Sequence, residues 1–245
     1  RGNFDLTAAH MVWAASSARV GCVVGALVAG YIGNKYGRRN SLLIAATLFF
    51  ISAIGTALPK TFDMFIIFRI VGGMGVGIAS MLSPMYIAEI APPAIRGRLV
   101  SYNQFSIVFG ILLVNFVNYF ISLQGDDLWN QQIGWRLMFG SEVIPAVLFF
   151  GLLLKVPKSP RWLSLTGQYD AAEAVLERLV GEEEAVAEMK AIKASITKDA
   201  AQKKLKLSEL LKPGLRTALV IGITLSVPQQ VTGINVFLYY APEIF

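Results

Sequence analysis

The chain has 245 residues, 55% of them hydrophobic and 16% charged, with a mean hydropathy of +0.57. Soluble domains carry about a quarter charged residues, so this balance excludes an ordinary water-soluble domain and indicates an all-α polytopic membrane protein. The net charge of +6 does not imply a nucleic-acid partner, because the basic residues gather in a few loops between apolar runs, the pattern that orients spans in a bilayer.

The first span is expected from about Ala9 to Ile32, with Gly21, Gly25 and Gly30 allowing close helix packing. Arg19 falls about midway, where a charge costs about 2.5–3.5 kcal/mol, so it should face a cavity or a carboxylate, or else snorkel outward. Cys22, the single cysteine, lies in the same run and cannot form an intrachain disulfide. His10 is the only histidine, so no histidine-rich metal site is expected. A tight basic turn follows, Gly33-Asn34-Lys35-Tyr36-Gly37-Arg38-Arg39-Asn40.

A second span runs from about Ser41 to Leu58 and a third from Met64 to Ile90. The third contains Arg69, which needs a counter-charge on an otherwise apolar helix, and the run Gly72-Gly73-Met74-Gly75-Val76-Gly77. No strand precedes those glycines and their spacing fails the dinucleotide fingerprint, so they signal helix packing. The run Pro84-Met85-Tyr86-Ile87-Ala88-Glu89 ends the span, and Arg96 and Arg98 lie just beyond it. Glu89 at a helix end can pair with Arg96 in the following turn, or both can be solvated charges of little consequence.

The fourth span is expected from Leu99 to Ser122, with Gln104 inside the bilayer. Leu123 to Arg136 reads as an acidic loop, with Trp135 as an interfacial anchor. The fifth span runs from Leu137 to Val156. Its Glu142 can titrate, pair with Arg69 or Arg19, or reach the interface.

Composition then shifts, and Gly167 to Lys212 is charged, with Ala171, Val175, Leu176 and Leu179 at helical spacing. These are expected to form short helices beneath the membrane. A last apolar run, Thr217 to Phe245, contains Pro228-Gln229-Gln230-Val231-Thr232-Gly233-Ile234-Asn235 and, further on, Tyr239-Tyr240. Buried amides are costly without partners. They either bind a polyhydroxy ligand, since amides both donate and accept, or join neighbouring helices.

Four of these stretches resemble a known family. Gln-Gln-x-x-Gly-Ile-Asn-x-x-x-Tyr-Tyr from Gln229 is similar to the seventh-helix signature of the sugar porters, within the major facilitator superfamily. The turn at Gly33–Asn40 resembles that superfamily's loop between helices two and three, with Asn34 replacing its aspartate. The run Pro84–Arg98 resembles the sugar porter signature joining helices four and five. Pro157-Lys158-Ser159-Pro160-Arg161-Trp162-Leu163 resembles the one after helix six, with Lys158 replacing an acid. Within the family, the runs Ala79–Glu89 and Asn118–Ile121 are most like bacterial D-xylose–proton symporters.

The resemblance implies a major facilitator fold of twelve helices, of which this chain supplies helices two to seven. Residues 1–156 would belong to the N-terminal bundle, 157–214 to cytoplasmic linker helices and 215–245 to the first helix of the C-terminal bundle. It implies a multi-pass transporter of the cell (inner) membrane, not an enzyme, with no cofactor. The substrate would be a monosaccharide, xylose or glucose-like, moved by alternating access with a proton as coupling ion. An uncoupled facilitator and a sugar sensor are the alternatives. Gln104, Gln229, Gln230, Asn235 and Tyr239 would contact sugar. Arg69 and Glu142 would serve proton coupling, and Arg38, Arg39, Glu89, Arg96 and Arg161 would form a cytoplasmic gate. The remaining partners would be lipid and helices one and eight to twelve, a further span being expected before Arg1.

Charge counting orients the spans. The turn at Lys35–Arg39 holds three basic residues, the turn at Arg96 and Arg98 two, and Lys155 to Arg216 twelve. These alternate loops should share the cytoplasmic side. Cysteines placed at Lys190 and Asp127 should therefore react with impermeant reagents from opposite sides of the membrane. Labelling of both from outside would overturn this orientation.

Overall fold

The computed structural model describes residues 8–92, 94–201 and 213–231. Among them the chain is helical and has no strand. It divides into two compact units, one ending at Lys193 and the other beginning at Ala194.

The first unit holds α1 (Ala8–Tyr36), α2 (Arg38–Ala57), α3 (Phe62–Ile90) and α4 (Arg96–Ser122). A broken helical run follows: α5 (Asp127–Trp129), a π-helical turn (Asn130–Gly134), α6 (Trp135–Gly140) and α7 (Val143–Lys155). These form five stretches long and apolar enough to cross a membrane. The fifth begins ten residues earlier than its apolar core suggests. Asp126 starts it by accepting a hydrogen bond from the Trp129 amide at 2.9 Å, so the acidic segment is a helix start, not a loop. Trp135 packs edge-on against Phe65 and Phe139, with the Arg136 guanidinium 4.6 Å from its ring centre. It is thus part of an aromatic cluster and not solely an anchor.

The core contact is between α1 and α3, which run parallel. A Cβ added at Gly21 would collide with the Ile70 carbonyl, at Gly25 with the Met74 carbonyl, at Gly73 with the Ala18 carbonyl and at Gly77 with the Cys22 carbonyl. Glycines on both helices therefore bring backbone against backbone, the packing expected where lipid offers no hydrophobic drive between helices. Gly75 meets Ala45 and Phe49, and Ser52 Oγ donates to the Phe68 carbonyl at 2.8 Å, which sets α2 antiparallel against α3.

Both ends of α2 are tied to the last span. Arg39 Nε and Nη2 donate to the Leu153 and Leu154 carbonyls of α7 at 2.9 and 2.8 Å. At the far end, Arg136 Nη1 donates to the Ala57 carbonyl at 3.1 Å. Each guanidinium serves carbonyls that a helix end leaves unpaired. By contrast α4 buries no residue.

The chain then forms α8 (Pro160–Leu165), α9 (Tyr169–Val180) and the start of α10 (Glu182–Ala201). Their core is Trp162, Leu163, Ala172, Leu176, Ala185 and Met189, flanked by Val175 and Val180. The buried face of α9 is centred one residue away from the expected one, because Ala171 and Leu179 are exposed. In the second unit, α11 (Pro213–Val231) runs through Pro228, whose missing N–H leaves the Thr224 carbonyl without its usual donor.

The α1–α3 seam gives a direct test. Gly77→Val should destabilise the protein by about 2 kcal/mol or more, because the added carbons meet backbone that cannot rotate away. Gly110→Ala on α4, where a Cβ meets nothing within 4 Å, should leave stability within about 0.5 kcal/mol. Thermal unfolding midpoints in detergent would compare them.

Candidate functional site

Two groups of polar residues stand out in the first unit. One lies where α1, α2, α3 and α8 meet, and the other lies midway along the spanning helices, around a cavity.

The expected basic turn shrinks to one residue. Only Gly37 separates α1 from α2, with φ at +86°, a region side chains disfavour. The Trp162 ring fills the place of a Cβ there, and Trp162 Nε1 donates to the Asn34 carbonyl at 3.0 Å. Gly37 therefore reverses the chain and leaves room for the indole.

This reversal points Arg38 inward. Its Nε lies 3.0 Å from Glu89 Oε1, and the two side chains are only 7% and 9% exposed. Arg38 Nη1 also donates to the Gly33 carbonyl at 3.0 Å and to Asn34 Oδ1 at 3.3 Å. The second Glu89 oxygen accepts from Ser159 Oγ at 2.6 Å. Ser159 in turn caps α8 by accepting from the Trp162 amide at 3.3 Å. Tyr86 Oη donates to the Pro157 carbonyl at 2.6 Å. Charged groups in this setting are held by several bonds each, as burial of charge requires.

The partner of Glu89 is thus Arg38, not Arg96. Arg96 is exposed and donates through Nε and Nη2 to the Ala91 carbonyl, at 3.3 and 3.2 Å. It serves the C-terminus of α3. Arg39 serves α7, as described above, and Arg161 is exposed on α8. Lys158 sits with its ammonium 5.8 Å from the Trp162 ring centre. Ser159 and Trp162 were not singled out from sequence, although a serine followed by proline is a recognisable helix start.

The second group is deeper. Arg69 lies two turns into α3, with its guanidinium 5.7 Å from the Phe139 ring centre. Its Nε is buried and has no hydrogen-bond partner among the described residues. Glu142 lies at the break between α6 and α7 and faces a cavity of about 440 Å3. Ser80, Ser83 and Asn103 share that cavity with Phe49 and Phe149. No ion pair joins Glu142 to Arg69 among the described residues.

Gln104 is exposed on α4, one residue beyond Asn103, whose Oδ1 accepts from Ser83 Oγ at 3.0 Å. Arg19 is exposed on α1. Gln229 and Gln230 fall in the last turn of α11, and Asn235 and Tyr239 lie outside the described residues.

A family model described as sugar (and other) transporter matches residues 3–245. The chain belongs to the sugar porter family of the major facilitator superfamily. Members of this family are membrane transporters, not enzymes. The chain is 49% identical to the D-xylose-proton symporter of Escherichia coli K12 over 248 residues, covering 94% of this chain and 50% of that protein. It is 45% identical to the arabinose-proton symporter of Bacillus subtilis 168 over 230 residues, covering 94% of this chain and 49% of that protein. A solved structure of the Escherichia coli xylose transporter XylE, in a partially occluded inward-open conformation, superposes with a TM-score of 0.85 at 46% identity. That match covers 99% of this chain and 58% of XylE. The chain therefore spans about half the length of the relatives it matches, and its helices adopt the major facilitator fold.

The sugar porter junction predicts unequal costs for its charges. Glu89→Ala strands the buried Arg38 guanidinium and should cost about 3 kcal/mol of stability. Arg96→Ala should cost under about 0.5 kcal/mol. Equal shifts in unfolding midpoint would refute the pairing seen here.

Proposed function

We propose that this chain forms the first bundle, the linker and the opening of the second bundle of a proton-coupled monosaccharide transporter. It would act in the cell (inner) membrane by alternating access, on xylose or a glucose-like sugar. The single observation that carries this reading is the presence, within apolar spanning helices, of Arg69 with a buried unpaired Nε and of Glu142 on the wall of a cavity, without an ion pair among the described residues. Charges at that depth are costly and mark ion or substrate pathways. Proton symport by the xylose and arabinose relatives supports the same reading.

Proton coupling follows from electrostatics. In this reading the proton sits on an aspartate of the family's first helix, whose affinity for it Arg69 lowers and burial and a charged Glu142 raise. Conformations that hold that acid and Arg69 differently then differ in proton affinity, and proton binding shifts the balance between them. The sugar would be held by Gln104, Gln229, Gln230 and Asn235, with Tyr239 shaping the cavity.

Arg38, Arg39, Glu89, Arg96 and Arg161 form the cytoplasmic gate in this reading. Arg38 and Glu89 close it when the carrier faces outward, and Arg39 and Arg96 fasten helix ends around them. A pair formed in one state stabilises that state alone.

Three measurements on the full-length protein test the proposal. In proteoliposomes with an imposed pH difference, the protein should concentrate sugar, and Arg69→Ala should only equilibrate it. Wild-type protein that never concentrates sugar, whatever the pH difference, would rule out proton coupling. Gln230→Ala should weaken sugar binding roughly tenfold or more, since losing a buried polar contact costs about 1–3 kcal/mol.

A further inference from the structure

The outer face of the first unit carries a groove between α2 and α7 that no step of transport uses. Its volume is about 300 Å3. The floor is made of Ala46 and Ala146, both buried, and the walls are Thr47, Phe50, Val147 and Phe150. The small floor residues open the space, and the two phenylalanines bound it. All four wall residues are exposed, and the surroundings of a spanning helix at this depth are hydrocarbon.

Cations lie at one end of this groove. Arg39 lies in the first turn of α2 and Lys155 closes α7. The hydrogen bonds from Arg39 to the Leu153 and Leu154 carbonyls place them side by side. Those carbonyls leave the guanidinium charge unneutralised, and no carboxylate lies within ion-pair distance of Arg39 or Lys155 among the described residues. Counting along α2 at 1.5 Å per residue, the groove spans about 10–16 Å beyond Arg39. One leaflet of hydrocarbon is about 15 Å deep, half of a core of roughly 30 Å. Groove and cations are therefore spaced like the acyl chain and phosphate of one lipid.

We propose that the α2–α7 groove binds one phospholipid with a net negative headgroup, its acyl chain between Phe50 and Phe150 and its phosphate at Arg39 and Lys155. Two cations with no facing carboxylate favour a net anion over a zwitterion, because a zwitterion brings its own cation to the same place. The charge count that orients the spans puts this lipid in the cytoplasmic leaflet, and the binding site itself does not depend on that orientation.

The experiment is native mass spectrometry of the full-length protein from mixed micelles. Phosphatidylglycerol and phosphatidylcholine are supplied with identical acyl chains. Phosphatidylglycerol should be retained about fivefold or more over phosphatidylcholine, and Lys155→Gln should lower its retention about fivefold, as expected for one interfacial cation. Thr47→Trp and Val147→Trp fill the groove from opposite walls without changing charge, and either should abolish the retained lipid. Thr47 bonds only to the Leu43 carbonyl of its own helix, so its loss leaves the packing between helices intact, and an unchanged unfolding midpoint would verify this. Wild-type retention by a folded groove-filled variant would overturn the site. Equal retention of the two lipids would overturn its anionic preference and with it the proposal. Micelles have no sides, so a reversed result from cysteine labelling would reassign the leaflet and leave the site standing.

Discussion

Arg38 is the residue on which the first unit converges. Its guanidinium reaches the Gly33 carbonyl and the Asn34 amide at the end of α1, starts α2, and pairs with Glu89 at the end of α3. Through Glu89 the same network reaches Ser159 and so α8. A buried cation of this kind is stable only while most of its donors are engaged. The ends of three spanning helices and the first linker helix are thus fixed by one electrostatic requirement. Gly37 makes this possible by turning the chain within a single residue, and Trp162 covers the turn.

The two departures from the family pattern acquire physical meaning from this network. Asn34 keeps an oxygen for Arg38 but brings no charge, so Glu89 is the sole carboxylate bonded to Arg38 among the described residues. Lys158 replaces an acid and lies over Trp162, where an aromatic face accepts a cation. Neither substitution breaks the junction. Each changes how much of its stability comes from full charges and how much from neutral dipoles and a ring.

Much of the fold was legible in the sequence because lipid imposes strict rules. Long apolar runs gave the spans from α1 to α4 within a few residues, and the glycines of α1 and α3 announced their close contact. The fifth span was placed too late because Asp126 and Asp127 read as loop residues, whereas Asp126 caps a helix that continues through a π-helical turn. The site was legible in parts. Arg69 and Glu142 were identifiable as charges within apolar runs, and Arg38 and Glu89 through the family resemblance, but pairing depends on which side chains fold together. Sequence proximity favoured Arg96 for Glu89. The structure joins Glu89 to Arg38, 51 residues away, because the α1–α3 seam brings the end of α3 beside the start of α2.

That seam also limits how the bundle can change shape. Two helices in backbone contact through four glycines have no side-chain cushion between them, so relative sliding would force main chain through main chain. Mechanically, α1 and α3 are a single beam. Within this unit, compliance must reside in what hangs from the beam, and α4 is the least encumbered member. It buries no residue, and its described hydrogen bonds toward α3 are those of Asn103 with Ser83 and of Arg96 with the Ala91 carbonyl. Its far end is held as well, because the Ser122 carbonyl accepts from Asn130 Nδ2 at 3.0 Å, so α4 is tied at both ends. A rigid beam flanked by a helix held at its two ends confines bending to the middle of that helix and leaves the glycine seam packed.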